Sequence, residues 1–178
     1  TRMDKLFLCD LTTMETTTLH MFSNTSYGQS LPSLMDGVLV WADAERSGST
    51  DEEDVSVIYS VRLGSTSIQS IHTETYAHDP ISNGQYTAWL DAHHSLQTKL
   101  YCMAQGASEP APVAEGVVQF GMGNKFIAYS KDETIYLYRF DNKKTYKLSG
   151  EYEKAQFMGV SDGKVIWMDV TSRERDIL

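Results

Sequence analysis

The sequence is poor in cysteine and proline, and it has no long apolar run. Two of its 178 residues are cysteines, Cys9 and Cys102, and four are prolines. Two cysteines without C-x-x-C spacing exclude a disulfide framework and a cysteine-based zinc site, so we expect free thiols on strands, as small buried hydrophobic residues. No run approaches the roughly 18 apolar residues of a spanning helix, and nothing near Thr1 resembles a signal peptide. We therefore expect no membrane insertion by this segment.

Positive charge is also scarce. The chain has 15 Lys and Arg residues against 24 Asp and Glu residues, which gives a formal net charge of −9 at pH 7. A negatively charged surface repels nucleic-acid phosphates and anionic lipids on average, so neither is expected as a partner. Since 41% of the residues are hydrophobic, the chain can bury the core of one globular domain.

Motifs with a defined chemistry are missing from the sequence. It contains no G-x-S-x-G nucleophile elbow, no H-E-x-x-H pair and no phosphate-binding glycine loop. The histidines are dispersed: His20 and His72 in expected outer strands, His78 before Asp79 and Pro80, and His93 and His94 in an expected loop. Adjacent histidines on extended backbone point in different directions and chelate a metal poorly. We therefore assign no catalytic residue, metal ligand or cofactor to the chain.

Three polar or glycine-containing segments have simpler interpretations. The acidic segment "ERSGSTDEED", residues 45–54, lacks the D-x-D-x-D-G spacing of a calcium loop and is expected to be a solvated loop. "FGMGNK" from Phe120 precedes no helical pattern and is expected to form a hairpin. "NTS" at Asn24 would accept a glycan in a secreted eukaryotic protein, but a motif of three residues often arises by chance.

The most informative feature is a sequence motif that is repeated along the chain. "GVLVWADAE" at residues 37–45 recurs in altered form as "GQYTAWLDAH" at 84–93 and "GKVIWMDVT" at 163–171. The central aromatic residues are Trp41, Trp89, Tyr129 and Trp167, at spacings of 48, 40 and 38 residues. A regular spacing of this size is typical of a repeat protein.

Each repeat predicts four short antiparallel strands. A turn with glycine or asparagine precedes the aromatic run, as in "LMDG" and "ISNG", and a run with Phe7, Tyr59, Tyr101 or Tyr136 and then a shorter run complete the repeat. Asp-Gly and Asn-Gly supply the positive φ of tight hairpins, and the abundance of β-branched and aromatic residues favours strands over helices. The sequence therefore predicts an all-β chain of sixteen visible strands.

Residues 38–43 are apolar on both faces of the expected strand. Side chains alternate between faces, so Leu39, Trp41 and Asp43 share one face, and Val38, Val40 and Ala42 share the other. A strand of this kind belongs to a sheet packed between two other sheets, which would place the repeated aromatic residues in the core between sheets. Acidic residues shortly after three of them, Asp43, Asp91 and Asp169, are expected to accept hydrogen bonds from turn amides rather than to act in catalysis.

The repeats resemble the TolB-type β-propeller repeat. The similarity rests on "PSLMDGVLVWAD…VIYSVRL", "DPISNGQYTAWLD…KLYCMAQ" and "AQFMGVSDGKVIWMD", although the family's proline is kept only at Pro32 and Pro80. The third repeat also departs from the pattern because it lacks the tryptophan. The resemblance implies a propeller with outer strands of one blade at 1–30, blades at 31–75, 76–117 and 118–150, and inner strands of a blade at 151–178.

Two blade numbers are compatible with this division. The half-blades at the two ends would close a four-bladed ring, or the whole 1–178 segment belongs to a larger propeller. We expect the second, because TolB-like repeats usually build six or more blades. An incomplete propeller would expose sheet edges, so it would self-associate or bind another chain.

A propeller without a catalytic motif is expected to be a noncatalytic binding module for a protein, a peptide or a carbohydrate. The alternative is the propeller domain of a larger enzyme, such as a prolyl-oligopeptidase-like hydrolase, a lyase or a glycosidase. We expect an extracytoplasmic location, with any signal or anchor upstream of this segment.

Overall fold

The computed structural model describes residues 4–22, 30–45, 55–72, 76–92, 98–161 and 163–171. These residues contain sixteen strands: β1 Lys5–Asp10, β2 Glu15–Met21, β3 Ser33–Met35, β4 Val38–Glu45, β5 Val55–Arg62, β6 Ile68–His72, β7 Ala77–Ser82, β8 Tyr86–Asp91, β9 Lys99–Ala104, β10 Ala111–Glu115, β11 Gln119–Met122, β12 Phe126–Lys131, β13 Thr134–Arg139, β14 Thr145–Lys147, β15 Ala155–Ser161 and β16 Lys164–Asp169. The predicted all-β fold is confirmed.

The strands form five antiparallel sheets in chain order. Three sheets have four strands, in the orders β3-β4-β5-β6, β7-β8-β9-β10 and β11-β12-β13-β14. Two have two strands each, β1-β2 and β15-β16. Because consecutive strands are neighbours, the first and third turns of a four-stranded sheet lie at one end and the second turn lies at the other. The chain divides into two compact units, Thr1–Pro80 and Ile81–Leu178.

The repeated aromatic residues occupy equivalent places in the three four-stranded sheets. Each lies opposite a tyrosine of the next strand: Trp41 opposite Tyr59, Trp89 opposite Tyr101, and Tyr129 opposite Tyr136. The paired rings stack with centroid distances of 5.6, 6.0 and 5.5 Å and interplanar angles of 22°, 22° and 21°. The first ring of every pair is buried. The equivalence inferred from spacing is thereby confirmed for these three sheets.

Trp167 holds the corresponding position in the β15-β16 sheet. It lies opposite Phe157 and is half-buried, and no strand in the described part of the chain pairs with the other edge of β16. Its ring packs on the edge of a core cluster formed by Ala128, Ile135 and their neighbours. This tryptophan therefore lacks the tyrosine partner that its three counterparts have.

The first strand of the repeated phrase is buried on both faces, as predicted. Residues 38–43 are all at most 7% exposed, with Val40 at 0% and Trp41 at 1%. Trp41, Leu39 and Phe22 belong to one core cluster of the first unit, which also includes contacts from Leu19. Both faces of β4 therefore contribute to the core.

Two of the tight turns place both central residues in the left-handed region. Asp36 and Gly37 have φ values of 49° and 73°, as an Asp-Gly hairpin requires. Asp132 and Glu133 have φ values of 48° and 53° although neither is glycine. The predicted hairpin at "FGMGNK" is confirmed, since the Gly123 amide donates a hydrogen bond to the Phe126 carbonyl over 2.9 Å.

Both cysteines are free and lie on strands, but only one is buried. Burial raises the pKa of the Cys102 thiol to about 12. Cys9 is exposed, so the expectation of a buried residue was wrong there: β1 belongs to a two-stranded sheet, and Cys9 lies on its exposed surface.

Several sequence predictions fall outside the described residues. They concern Asn24, residues 46–54 of the acidic segment, and the His93–His94 pair. Within the described ranges there is no group of three or more His, Cys, Asp or Glu residues that would hold a metal ion. The same ranges contain no helix that is long and apolar enough to cross a membrane.

Candidate binding site

A cleft of about 490 Å³ opens at one end of the β11-β14 sheet, within the second unit. Three segments contribute to it: the β11–β12 turn, the end of β13 and the β15–β16 turn. The lining residues are Asn124, Lys125, Phe126, Leu137, Arg139 and Gly163. The cleft therefore combines two cations, one amide and two apolar side chains.

Glycines allow the two turns to form the walls of the cleft. The Phe126 ring packs so closely on Gly123 that a Cβ on residue 123 would stand 2.7 Å from it. Gly163 has a φ of 70°, a left-handed conformation that glycine adopts without steric cost. Side chains other than hydrogen would shift the ring at the first position and strain the backbone at the second.

Asn83 holds the first of these turns from the neighbouring β7–β8 turn. Its side-chain amide donates hydrogen bonds to the carbonyl oxygens of Gly123 at 3.1 Å and Asn124 at 3.3 Å. The Asn83 side-chain oxygen in turn accepts from the Tyr86 amide at 2.8 Å. The turn that carries Asn124 and Lys125 is thus fixed before any ligand binds.

The end of β13 is fixed by the residue that follows Arg139. The buried Phe140 ring stacks on Tyr86 with centroids 4.0 Å apart, and the Phe140 amide donates to the Lys125 carbonyl over 3.1 Å. These contacts join the end of β13 to the start of β12. The β11–β12 turn and the end of β13 are therefore both held in place by contacts within the protein.

The two cations of the cleft have different surroundings. The Arg139 guanidinium donates to both carboxylate oxygens of Asp141, at 3.1 and 2.5 Å. The guanidinium lowers the pKa of the Asp141 carboxyl, and the carboxylate raises the pKa of Arg139. Lys125 is exposed, and none of its described neighbours forms an ion pair with it. Lys125 is therefore the available positive charge of the cleft.

A second polar cluster lies in the first unit, where β2 packs against β4. His20 Nε2 is 2.6 Å from Asp43 Oδ2, and the side chain of Asp43 is 3% exposed. The His20 ring also contacts Trp41 and Tyr59, with centroids 5.4 and 5.2 Å away. Trp41 Nε1 is buried without a hydrogen-bond partner among the described atoms. The cluster is enclosed by rings, so it links two sheets rather than facing a ligand.

A third cluster fixes the segment before β3. The Asp79 amide donates to the Ser30 hydroxyl at 2.8 Å, and the Leu31 amide donates to Asp79 Oδ1 at 2.9 Å. His78 Nδ1 lies 3.0 Å from Asp79 Oδ2. The His78 hydrogen bond and then the Leu31 amide lower the pKa of the Asp79 carboxyl, against the effect of burial. Because Ser30 contacts the Asp79 backbone, these residues do not form a nucleophile–base pair.

The three acidic residues after the aromatic positions differ in their contacts. Asp169 accepts a hydrogen bond from the Thr171 amide over 3.0 Å, as expected for a turn. Asp43 contacts His20 of another sheet, which the sequence pattern did not predict. Asp91 is buried, at 6% exposure.

Solved structures provide the comparison that classifies the fold. The chain is similar to the β-propeller domain of the Trilobed protease from Pyrococcus furiosus, which has an open velcro topology: the TM-score is 0.54, with 10% identity over 72% of this chain. It is also similar to the acylaminoacyl peptidase of Pyrococcus horikoshii, with a TM-score of 0.63 and 10% identity over 92% of this chain. The four-stranded sheets resemble propeller blades.

The comparison reaches no further than the fold. This chain spans 44% of the first structure's chain and 31% of the second. No protein-family model matches the sequence, and no curated protein matches it. At 10% identity the similarity shows how the strands are arranged and nothing of the chemistry of the cleft.

Proposed function

We propose that the chain is a noncatalytic binding module built from TolB-like propeller repeats, and that its ligand binds in the cleft between the β11–β12 and β15–β16 turns. The proposal rests on one observation: segments that line the cleft are held in place by contacts within the protein. Asn83 fixes the β11–β12 turn and the Tyr86–Phe140 stack fixes the end of β13, so ordering these two segments adds little cost to binding. Cavities of about 300–1,000 Å³ with a few fixed polar groups are the usual form of a ligand site.

A peptide library tests the proposal directly. Phage displaying random heptapeptides are selected on the immobilised chain, and the selected clones are then measured on two variants. Asn124→Trp places a bulky ring in the cleft, whereas Gln85→Trp adds the same ring to an exposed turn outside it. We expect Asn124→Trp to abolish binding of the selected clones and Gln85→Trp to preserve it. If the selected clones bind Asn124→Trp as tightly as the parent chain, the cleft is not the ligand site.

The propeller domain of a larger peptidase-like hydrolase is the second candidate. The similarity to two peptidase structures favours it over the lyase and glycosidase alternatives. The test is hydrolysis of an N-acetylated peptide p-nitroanilide by the natural full-length protein. Release of p-nitroaniline would support the hydrolase alternative, and peptide binding without hydrolysis would support the binding module.

A further inference from the structure

We propose that the cleft recognises an acidic peptide segment in which a carboxylate side chain lies next to an aliphatic one. The inference rests on the proposed binding function and specifies its ligand class. Lys125 would bind the carboxylate, the remaining donors of Arg139 and Asn124 would orient it, and Leu137 with Phe126 would contact the aliphatic side chain.

Positive charge is concentrated in the part of the chain that forms the cleft. Residues 120–171 contain eight of the 15 Lys and Arg residues but only seven of the 24 Asp and Glu residues. Residues 1–119 contain five basic and 15 acidic residues. The formal charge is therefore +1 for residues 120–171 and −10 for residues 1–119, so an acidic segment is repelled far less by the part of the chain that forms the cleft.

The cleft has donors left for a carboxylate. An arginine has five N–H donors in a planar fork, and the described contacts of Arg139 with Asp141 use two of its nitrogen atoms. Its third guanidinium nitrogen remains available for a ligand oxygen. Lys125 contributes three further donors, and it forms no ion pair with a described residue. Among the described residues, no ion pair of Lys125 would have to break for it to bind a carboxylate.

The apolar walls favour a peptide over a nucleic acid. Leu137 and Phe126 are both partly buried side chains of neighbouring strands, β13 and β12, and they offer an aliphatic and an aromatic contact beside the charges. A polynucleotide extends beyond a cleft of this size and would meet the acidic remainder of a chain with net charge −9. A short acidic peptide fits within the cleft and avoids that repulsion.

Fluorescence anisotropy with three labelled peptides tests the ligand class. The probes are fluorescein-labelled Gly-Glu-Leu-Glu-Gly and its Gln and Lys analogues, with blocked ends. We expect the Glu peptide to bind at least about tenfold more tightly than the Gln peptide, because a charge-assisted contact is lost in the Gln peptide. Its affinity should also fall as NaCl is raised from 50 to 500 mM, since salt screens exposed charges.

Matched charge reversals locate the interaction. Lys125→Glu should weaken binding of the Glu peptide by at least about tenfold and improve binding of the Lys peptide. Lys147→Glu, an equal charge change on the exposed outer strand β14, should alter the Glu peptide affinity by less than about twofold. Far-UV circular dichroism checks folding, and Lys125→Gln replaces Lys125→Glu if the reversal unfolds the chain.

Three outcomes would overturn the ligand class. They are equal binding of the Glu and Gln peptides, equal losses in Lys125→Glu and Lys147→Glu, and displacement of the Glu peptide by an equal concentration of a ten-residue thymidine oligonucleotide. If phage clones are blocked by Asn124→Trp but are not acidic, the binding function stands and the ligand class fails. If no clone responds to Asn124→Trp, the cleft itself fails as the site.

Discussion

Asp79 shows how one carboxylate can hold a loop against a strand. Its backbone φ is 51°, a left-handed conformation that Asn also tolerates, so Asp79→Asn removes the charge while preserving the backbone. Because the Asp79 carboxyl has a lowered pKa in the folded state, its contribution to stability is present above the unfolded value of about 3.9 and is lost as pH falls through the folded value. The carboxyl is 42% exposed, which limits the effect.

We predict that Asp79→Asn lowers the free energy of unfolding by about 0.5–1 kcal/mol at pH 7, after allowance for solvent screening. The difference from the parent chain should shrink as pH falls below about 4, because the carboxyl is protonated first in the unfolded chain and, at lower pH, in the folded chain. Urea unfolding at pH 7 and pH 3 measures it. Asp36→Asn is the control, since Asp36 has a φ of 49° in an exposed turn. A constant difference at both pH values would contradict the charge-based explanation.

At the scale of elements, the β12–β13 turn places two residues other than glycine in a left-handed conformation that is unfavourable for them. Asp132 and Glu133 both adopt left-handed φ values, and the left-handed conformation costs an ordinary residue about 1 kcal/mol. We predict that Glu133→Gly raises the free energy of unfolding by about 1 kcal/mol, because glycine removes that cost. Chemical unfolding followed by circular dichroism provides the measurement.

Glu133→Ala separates backbone strain from loss of the side chain. Both substitutions remove the exposed ion pair of Glu133 with Lys154, whose charged atoms are 3.8 Å apart, but alanine retains the steric penalty. If alanine stabilises the chain as much as glycine does, the left-handed backbone is not the cause.

The stacked aromatic pair recurs in the three four-stranded sheets, and comparing Trp89 with Trp167, which lies opposite Phe157 instead of a tyrosine, tests its importance. Trp89 is 1% exposed and stacks on Tyr101, whereas Trp167 is half-buried and lies on a strand with one unpaired edge in the described residues. We predict that Trp89→Ala costs about 3–5 kcal/mol and that Trp167→Ala costs about 1 kcal/mol. Urea unfolding compares them, and Trp89→Phe substitutes if Trp89→Ala does not fold. Equal costs would refute an unequal role of these positions.

Strands and aromatic registers could be predicted because they are repeated. The same alternating pattern surrounds Trp41, Trp89 and Tyr129. Features that differ between the three repeats can be disregarded, and the shared strand pattern is then recognised. The Asp132–Glu133 turn could not be predicted in the same way, because neither residue prefers a positive φ. The exposure of Cys9 also depends on how many strands its sheet contains, which local sequence does not determine.

The cleft could not be predicted because its residues share no sequence pattern. Asn124 and Gly163 lie in different turns and Arg139 at the end of β13, and the three meet only when two sheets pack together. The His20–Asp43 contact has the same origin, since β2 and β4 belong to separate sheets. The one available indication was the excess of basic residues after position 120, a distribution that the total charge of −9 conceals. Local periodicity thus determines elements, whereas sites depend on packing between them.

At the scale of the whole molecule, net charge opposes association through sheet edges. The charge of −9 at pH 7 falls towards zero near the isoelectric point of about 4.9. Ile166 is 56% exposed on β16, and one edge of β16 pairs with no strand in the described part of the chain. An apolar residue on such an edge favours pairing between chains. We predict a maximum of static light scattering near pH 4.9. Ile166→Lys should lower that maximum by at least about half, because charged residues protect edge strands.

Leu11→Lys makes the same charge change at an 81% exposed residue in the β1–β2 turn and should lower the maximum much less. Equal reductions in the two variants would show that total charge, rather than the β16 edge, controls association.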